Sequence, residues 1–320
     1  MKEASTNLFK GVHHAGIGVS DMQRSLDFYK NTLGFSEVVA HYAGELPGME
    51  PITGRHQTNA HVVFLRNPRA TRLGAGMIKL VQLLAPDSPG PTPEGVCWGE
   101  IGVAEVCVHT RNVEAMLKRL VNEAGCRQTT AVDCVPVPPP RGGETAYGYI
   151  EDPDGGKVEL LEWRPPSGSR PEPHTEGVAH VAFGVSDADR AKAFYKTLGF
   201  TAELIDFECV QQIMDAWFAK DPAGKELRLV IMDNPEGGAG IEIVKQLNRK
   251  KDCRGSWGHL GPMEFAIEVG DIEQACAVLR RNGLELLGSP QTVAADTCNW
   301  TYIYLAEPDG NFVSLIQPGF

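Results

Sequence analysis

A chain of 320 residues, 42% hydrophobic and 22% charged, is long enough for two ordinary domains and has the composition of a soluble globular protein. Its formal net charge of −11 disfavours nucleic acid, whose phosphates need a basic face. The N-terminal MKEASTNLFKG has no apolar core of the signal-peptide kind, no run reaches the roughly 20 apolar residues of a membrane helix, and the eight scattered cysteines include no C-x-x-C pair; together these predict a cytoplasmic protein with reduced, mostly buried thiols and no membrane contact.

The first predicted elements lie in VHHAGIGVSDMQRSLDFYKNTLGF, Val12 to Phe35. His14, Gly16 and Gly18 alternate with Ala15, Ile17 and Val19, which distinguishes the two faces of a strand. Ser20 and Asp21 are N-cap residues, Met22, Leu26, Tyr29 and Leu33 share one helical face, and Gly34 ends the helix. The stretch recurs as VAHVAFGVSDADRAKAFYKTLGF, Val178 to Phe200, with His180 in the place of His14. After the first copy, the turn-rich YAGELPGMEPITGRHQT is expected to be a long loop covering a site, and HVVFLRN (61–67) and MIKLVQLLAP (77–86) are expected strands.

A second unit follows DSPGPTPEG. Its strand is AEVCVHT (104–110), its helix is capped by Asn112, a further strand lies near 129–135, and TAYGYIEDPDGGKVELLEW is a hairpin around Asp152-Pro153-Asp154-Gly155. The proline- and glycine-rich RPPSGSRPEPHTEG (164–177) reads as a linker. Unit three then repeats unit one, ending in the strands LRLVIMD and GIEIVKQL. Unit four opens with PMEFAIEVGD, continues in a helix capped by Asp271, and closes with WTYIYLAEPDGNFVSLIQP, whose Glu307-Pro308-Asp309-Gly310 turn repeats the earlier one. The chain is therefore α+β: four βαβββ units, paired into two modules with curved mixed sheets, helices outside and a cleft inside. The expected division is residues 1–165 as one module, 166–177 as linker and 178–320 as the other.

The motifs H-A-G-I-G-V-S-D…F-Y-K…L-G-F, their second copy and the two [DE]-P-D-G hairpins resemble the vicinal oxygen chelate superfamily. That superfamily includes glyoxalase I, methylmalonyl-CoA epimerase, extradiol dioxygenases and bleomycin-resistance proteins. The resemblance covers nearly the whole chain. It implies up to four metal ligands per module, carried over here onto His14, Gln82, Glu105 and Glu159, with His180, Glu242 and Glu264 in the second cleft and Ser314 where a fourth ligand is missing. This set holds if neighbouring units pair, which the linker mildly favours. If units two and three pair instead, as in fused glyoxalases, the complete set is Glu105, Glu159, His180 and Glu242.

A nitrogen–oxygen donor set of this kind suits Zn, Fe, Mn, Co or Ni as a divalent ion. The implied chemistry is that of an isomerase, epimerase or lyase that removes a proton next to a chelated carbonyl or hydroxyl of a small oxygenated substrate, with Glu159 as the first candidate base and Glu105 as the second. His109, Tyr149 and His61 are candidate substrate contacts; His109 reads more readily as a satisfied core histidine. The second reading is an Fe(II) ring-cleaving dioxygenase, although no histidine precedes the hairpin tyrosine. The third is a metal-free small-molecule binding protein. The expected partner is a small molecule, and the expected state is monomer or homodimer.

Overall fold

The structure is a computed structural model and describes residues 8–92, 98–137, 142–166, 171–210, 226–248, 250–295 and 298–319. Unit one contains β1 (Phe9–Gly18), α1 (Met22–Leu26, running on as a π-helical stretch, Asp27–Thr32), β2 (Glu37–Glu45), the short α2 (Glu50–Thr53), β3 (Asn59–Arg66) and β4 (Met77–Leu83). Unit two contains β5 (Gly102–Arg111), α3 (Val113–Ala124), β6 (Asp133–Pro136), β7 (Glu144–Glu151) and β8 (Lys157–Arg164). Unit three is β9 (His174–Gly184), α4 (Ala188–Thr197), β10 (Ala202–Val210), β11 (Glu226–Asp233) and β12 (Gly240–Gln246). Unit four is β13 (Gly261–Val269), α5 (Ile272–Arg281), β14 (Leu286–Ala294), β15 (Asn299–Leu305) and β16 (Phe312–Pro318).

The chain contains four βαβββ units, and each main helix starts at a capping side chain, as expected for Asp21, Asn112 and Asp271 and found also for Asp187. Asp21, Asn112, Asp187 and Asp271 accept from the backbone N–H groups of Arg24, Ala115, Arg190 and Gln274. In three units a residue of the last strand adds a second cap. Gln82 accepts from Met22 N, Glu162 from Val113 N and Gln317 from Ile272 N. The long-loop expectation is partly corrected: Tyr42–Glu45 belong to β2, because they continue its ladder against β3, and the irregular part begins at Leu46.

The sheets do not follow the two halves of the sequence. One eight-stranded sheet runs β14-β15-β16-β13-β1-β4-β3-β2, and the other β10-β11-β12-β9-β5-β8-β7-β6. Units one and four share the first, and units two and three the second. The seams are the antiparallel pairs β1–β13 and β5–β9. The expected modules 1–165 and 178–320, with 166–177 between them, are therefore corrected. β8 and β9 flank that stretch and lie in one sheet, and Thr175 and Glu176 within it are buried strand residues. A proline-rich composition marks a break in regular structure, but it does not say which strands the flanking segments will pair with. Residues 167–170 lie outside the described residues.

Alternation along the strands sorts the side chains. Val106, Val108, Val158, Leu160, Val181, Phe183, Ile241 and Ile243 join the helices and the equivalent residues of the other sheet in one large core. Phe183 and Phe265, one from each sheet, stack at 5.1 Å between ring centres. The opposite faces carry two smaller clusters, one per sheet. Sequential neighbours still meet, through helix and turn. Asp154 accepts from Ser20 and Arg24, and Asp309 accepts from Ser186 and Arg190.

The seven described cysteines are free thiols, of which Cys107, Cys253 and Cys276 are buried; Cys97 lies outside the described residues. Among the described residues no helix is long and apolar enough to cross a membrane.

A buried polar knot ties the sheets together. Glu176 of β9 accepts from His109 and Arg111 at 2.9 and 2.8 Å and from Thr71 in the loop between β3 and β4. Burial alone would raise the Glu176 carboxyl, but the hydrogen bonds from His109, Thr71 and Arg111 outweigh it and hold it at about 2. A carboxyl with a depressed folded-state value stabilises the fold above its unfolded value near 4.5, and that stability is lost as the pH falls toward 2. Glu176→Gln should therefore lose roughly 3 kcal/mol near neutral pH, as expected for breaking a buried pair, and show a flatter loss of stability between pH 5 and 2 in urea melts.

Candidate metal centre

On the concave face of the sheet formed by units two and three, four side chains converge. Glu105 comes from β5, Glu159 from β8, His180 from β9 and Glu242 from β12. Each offers one ligand atom, and the four atoms lie within 4.8 Å of one another. The strand register makes this convergence. Cys107 lies opposite both His180 and Glu159, while Ala182 lies opposite both Glu105 and Glu242. Since alternate residues share a face, all four acidic or imidazole groups point to the same side as Cys107.

All four residues are at most 5% exposed. His180 Nε2 lies 2.6 Å from Glu242 and 3.3 Å from Glu159. Tyr149 Oη donates to Glu105 at 3.2 Å. Glu105 Oε2, Glu159 Oε2 and His180 Nε2 are buried without a well-oriented hydrogen-bond partner. Two carboxylates at such a spacing repel by about 3–4 kcal/mol at an effective dielectric near 20. Three ionised carboxylates together would thus consume much of a typical domain's stability of roughly 5–15 kcal/mol.

Protons answer that strain when nothing else does. Burial, then the Glu159 and Glu242 charges, push the Glu105 carboxyl well above its usual range. Burial raises Glu242 as well. At His180 burial works against a charged ring, but Cys107, Glu242 and Glu159 outweigh it and raise the imidazole. A divalent cation would do the same work without protons, and the orphaned oxygens and nitrogen are the ligand atoms it would need. The residues fit such an ion.

The sequence-predicted site residues are thereby redistributed. Glu105 and Glu159 meet His180 and Glu242, which is the set expected for pairing of units two and three. His14 and Gln82, expected beside Glu105 and Glu159, lie in the other sheet. His14 faces a second cleft, where its Nδ1 meets His13 Nδ1 at 2.9 Å, and burial, followed by His13 and Lys79, lowers its protonation well below the imidazole range. Gln82 does not face a cleft; it caps α1 through Met22 N and donates to Ser20 O. Ser314 lines the His14 cleft, and Glu264, expected beside His180 and Glu242, lies behind it against the lining residues Lys79, Trp257 and Tyr304.

Among the expected substrate contacts, Tyr149 touches a member of the quartet. His109 is held by Glu176 in the knot between the sheets. His61 alternates away from the cleft-lining Val62 and Phe64 and pairs with His41 at 2.7 Å.

Two residues escaped the sequence reading. Lys79 sits opposite Gly16 as Glu242 sits opposite Ala182, so Lys79 and not Gln82 is Glu242's counterpart. Aligning MIKLV with GIEIV shows this directly. Trp98 opens the repeated W-G-x-x-G (98–102 and 257–261), packs with Tyr147 and Tyr149, and keeps its indole N–H without an acceptor among the described residues.

The model of the Glyoxalase/Bleomycin resistance protein/Dioxygenase superfamily matches residues 11–160 and 177–315. The chain belongs to this superfamily. It is 29% identical over 194 residues to a probable chloroplastic lactoylglutathione lyase of Arabidopsis thaliana; the match spans 60% of this chain and 44% of that relative, so less than half of the relative's length is represented. Glyoxalase I from Zea mays superposes with a TM-score of 0.58 at 16% identity, over 96% of this chain and 92% of that one. A putative dioxygenase from Bacillus subtilis gives 0.58 at 14% identity, over 97% and 86%. At these identities the superpositions speak to the fold, which the superfamily uses for more than one chemistry.

Tyr149→Phe removes the hydroxyl that orients Glu105. Zn²⁺ affinity, measured against a competing chelator, should fall roughly tenfold to a hundredfold while the circular dichroism spectrum stays unchanged.

Proposed function

We propose that the protein is a metal-dependent lyase or isomerase of the glyoxalase type, acting on a small substrate with oxygens on adjacent carbons. The observation that carries this reading is the buried quartet of Glu105, Glu159, His180 and Glu242. Three carboxylates and one imidazole form a hard, anionic donor set that suits a divalent first-row ion. They differ from the two-histidine, one-carboxylate set of non-haem iron oxygenases, which favours lyase or isomerase chemistry over ring cleavage. A ligand-binding protein without a metal would have no use for so costly a cluster.

The four residues would hold the ion, which supplies a Lewis acid able to polarise a carbonyl and to stabilise the charge left when the neighbouring carbon loses its proton. Glu159 takes that proton. Among the three carboxylates it is the least tethered, since Tyr149 fixes Glu105 and His180 lies closest to Glu242. Returning the proton to the adjacent carbon completes an isomerisation, and the same group serves as base and acid. Tyr147, Tyr149 and Trp98 wall the cleft with apolar surface, which keeps water from the reacting carbon.

Lactoylglutathione, the thioester in the Arabidopsis relative's name, carries a hydroxyl next to its carbonyl and has the required pair of oxygens. The test is exchange of its α-proton for deuterium in D₂O, followed by NMR with Zn²⁺-, Ni²⁺- and Mn²⁺-loaded protein. Wild type should exchange it. Glu159→Gln should retain most of the bound metal and exchange at least about a hundredfold more slowly. Glu242→Ala should hold no stoichiometric metal by elemental analysis. Wild-type protein that binds none of these ions would overturn the metal reading. Metal-loaded protein that exchanges neither this thioester nor other 2-hydroxyacyl thioesters would overturn the reaction.

A further inference from the structure

The two sheets repeat the site position by position, and the second copy differs in its charge. Opposite Gly16 and Ala266, β1, β4, β13 and β16 present His14, Lys79, Glu264 and Ser314 where β9, β12, β5 and β8 present His180, Glu242, Glu105 and Glu159. Tyr304, opposite Ser314, donates to Glu264 as Tyr149, opposite Glu159, donates to Glu105. The correspondence therefore extends beyond the four ligand places to the tyrosine behind them.

In the second cleft every interaction of Glu264 is supplied from within. Lys79 Nζ lies 2.6 Å from Oε1, and Oε2 accepts from Trp257 Nε1 at 2.7 Å and from Tyr304 Oη. The Glu264 side chain is fully buried and that of Lys79 is 12% exposed. Glu264 lies across Gly16, where a Cβ would stand 2.3 Å from its Cγ. One carboxylate and one ammonium cancel, whereas the quartet of the other cleft leaves three carboxylates to neutralise. Phe64, Trp257, Trp300 and Tyr302 fill the remaining space, and the cavity left is about 10 Å³, roughly one water molecule. Leu46 and Met49, from the irregular segment after β2, close over it, and Tyr302 Oη donates to Pro47 O at 2.6 Å.

We infer that the second cleft does not take a metal ion and that the ammonium of Lys79 is its permanent internal cation, so that the chain carries one metal and one self-neutralised copy of the same site. A dication there would meet a fixed positive charge, a carboxylate already fully bonded, and His14 as the one remaining strong donor. The inference uses the proposed metal centre for the correspondence of places, and its test is read on the second cleft.

The experiment titrates Zn²⁺ and Ni²⁺ separately into wild type, Glu242→Ala, His14→Ala and the triple variant Glu242→Ala/Lys79→Glu/Ser314→Glu, with elemental analysis after gel filtration. Wild type should bind one ion per chain, Glu242→Ala none and His14→Ala one. The triple variant, with its first site disabled, should regain one ion and lose it again when His14 is also changed. A second ion in wild type that survives Glu242→Ala and disappears with His14→Ala would overturn the inference.

Thermal melting supplies an arm that needs no metal. Lys79→Met strands a buried carboxylate and should lower the midpoint by on the order of 10 °C, and Lys79→Met/Glu264→Gln should recover most of that loss. Unchanged melting of Lys79→Met would overturn the inference. Absence of metal from every protein, with the melting pattern as expected, would overturn the proposed function and leave the internal cation standing.

Discussion

The seam between first strands is the constraint on which the rest depends. β5 pairs antiparallel with β9, and β1 with β13, so the opening strands of two units lie side by side in opposite directions. Each opening strand also pairs in parallel with the last strand of its own unit. Four strands are thereby locked in one register, and any residue that repeats in the unit arrives at the seam twice, once from each side. A slip of one residue would turn each of these side chains to the opposite face, where the apolar core would have to take charges.

Charge balance then separates two clefts with the same backbone. In the sheet of units two and three, burial and mutual repulsion of three carboxylates leave a site that needs an external cation or protons. In the sheet of units one and four, a lysine in the place of one glutamate and a serine in the place of another leave a site that needs neither. The repeat supplies two sets of equivalent places, and the second is filled as well as neutralised, with Phe64, Trp257, Trp300 and Tyr302 packed into it.

The units are joined by two systems of contacts that follow different neighbours. Sheets join two with three and one with four. Helix-to-turn clasps through Asp154 and Asp309 join one with two and three with four. Together they close the four units into a ring of contacts, and the apolar faces of both sheets share one core between them. The knot around Glu176 adds a polar fixing point where β9 passes the loop of unit one.

Much of this was legible in the residues. Periodicity and caps located the strands and helices because those signals are local: a carboxamide, hydroxyl or carboxylate at the N-cap and an alternating apolar face act within a few residues. The repeat places His14 and His180 at equivalent points, and the resemblance to the superfamily points to Glu159 after the hairpin turn. Gln82 stands three positions beyond Lys79, the residue of β4 that faces the cleft, and VQL resembles a cleft-facing strand end as much as KLV does. The proline-rich stretch at 164–177 looked like a boundary between modules because composition reports a break in the chain and not the partner on its far side.

By itself the sequence determined four βαβββ units and the equivalence of His14 and His180, since capping, alternation and repetition depend on neighbours along the chain; it did not distinguish Lys79 from Gln82 as the inward-facing residue of β4. The tertiary structure decided which units share a sheet, and hence that Glu105 and Glu159 meet His180 and Glu242 while His14 meets Lys79 and Glu264. Pairing between strands more than 60 residues apart rests on the burial of whole sheet faces and the closure of the seams, a global balance that no short stretch of the chain encodes.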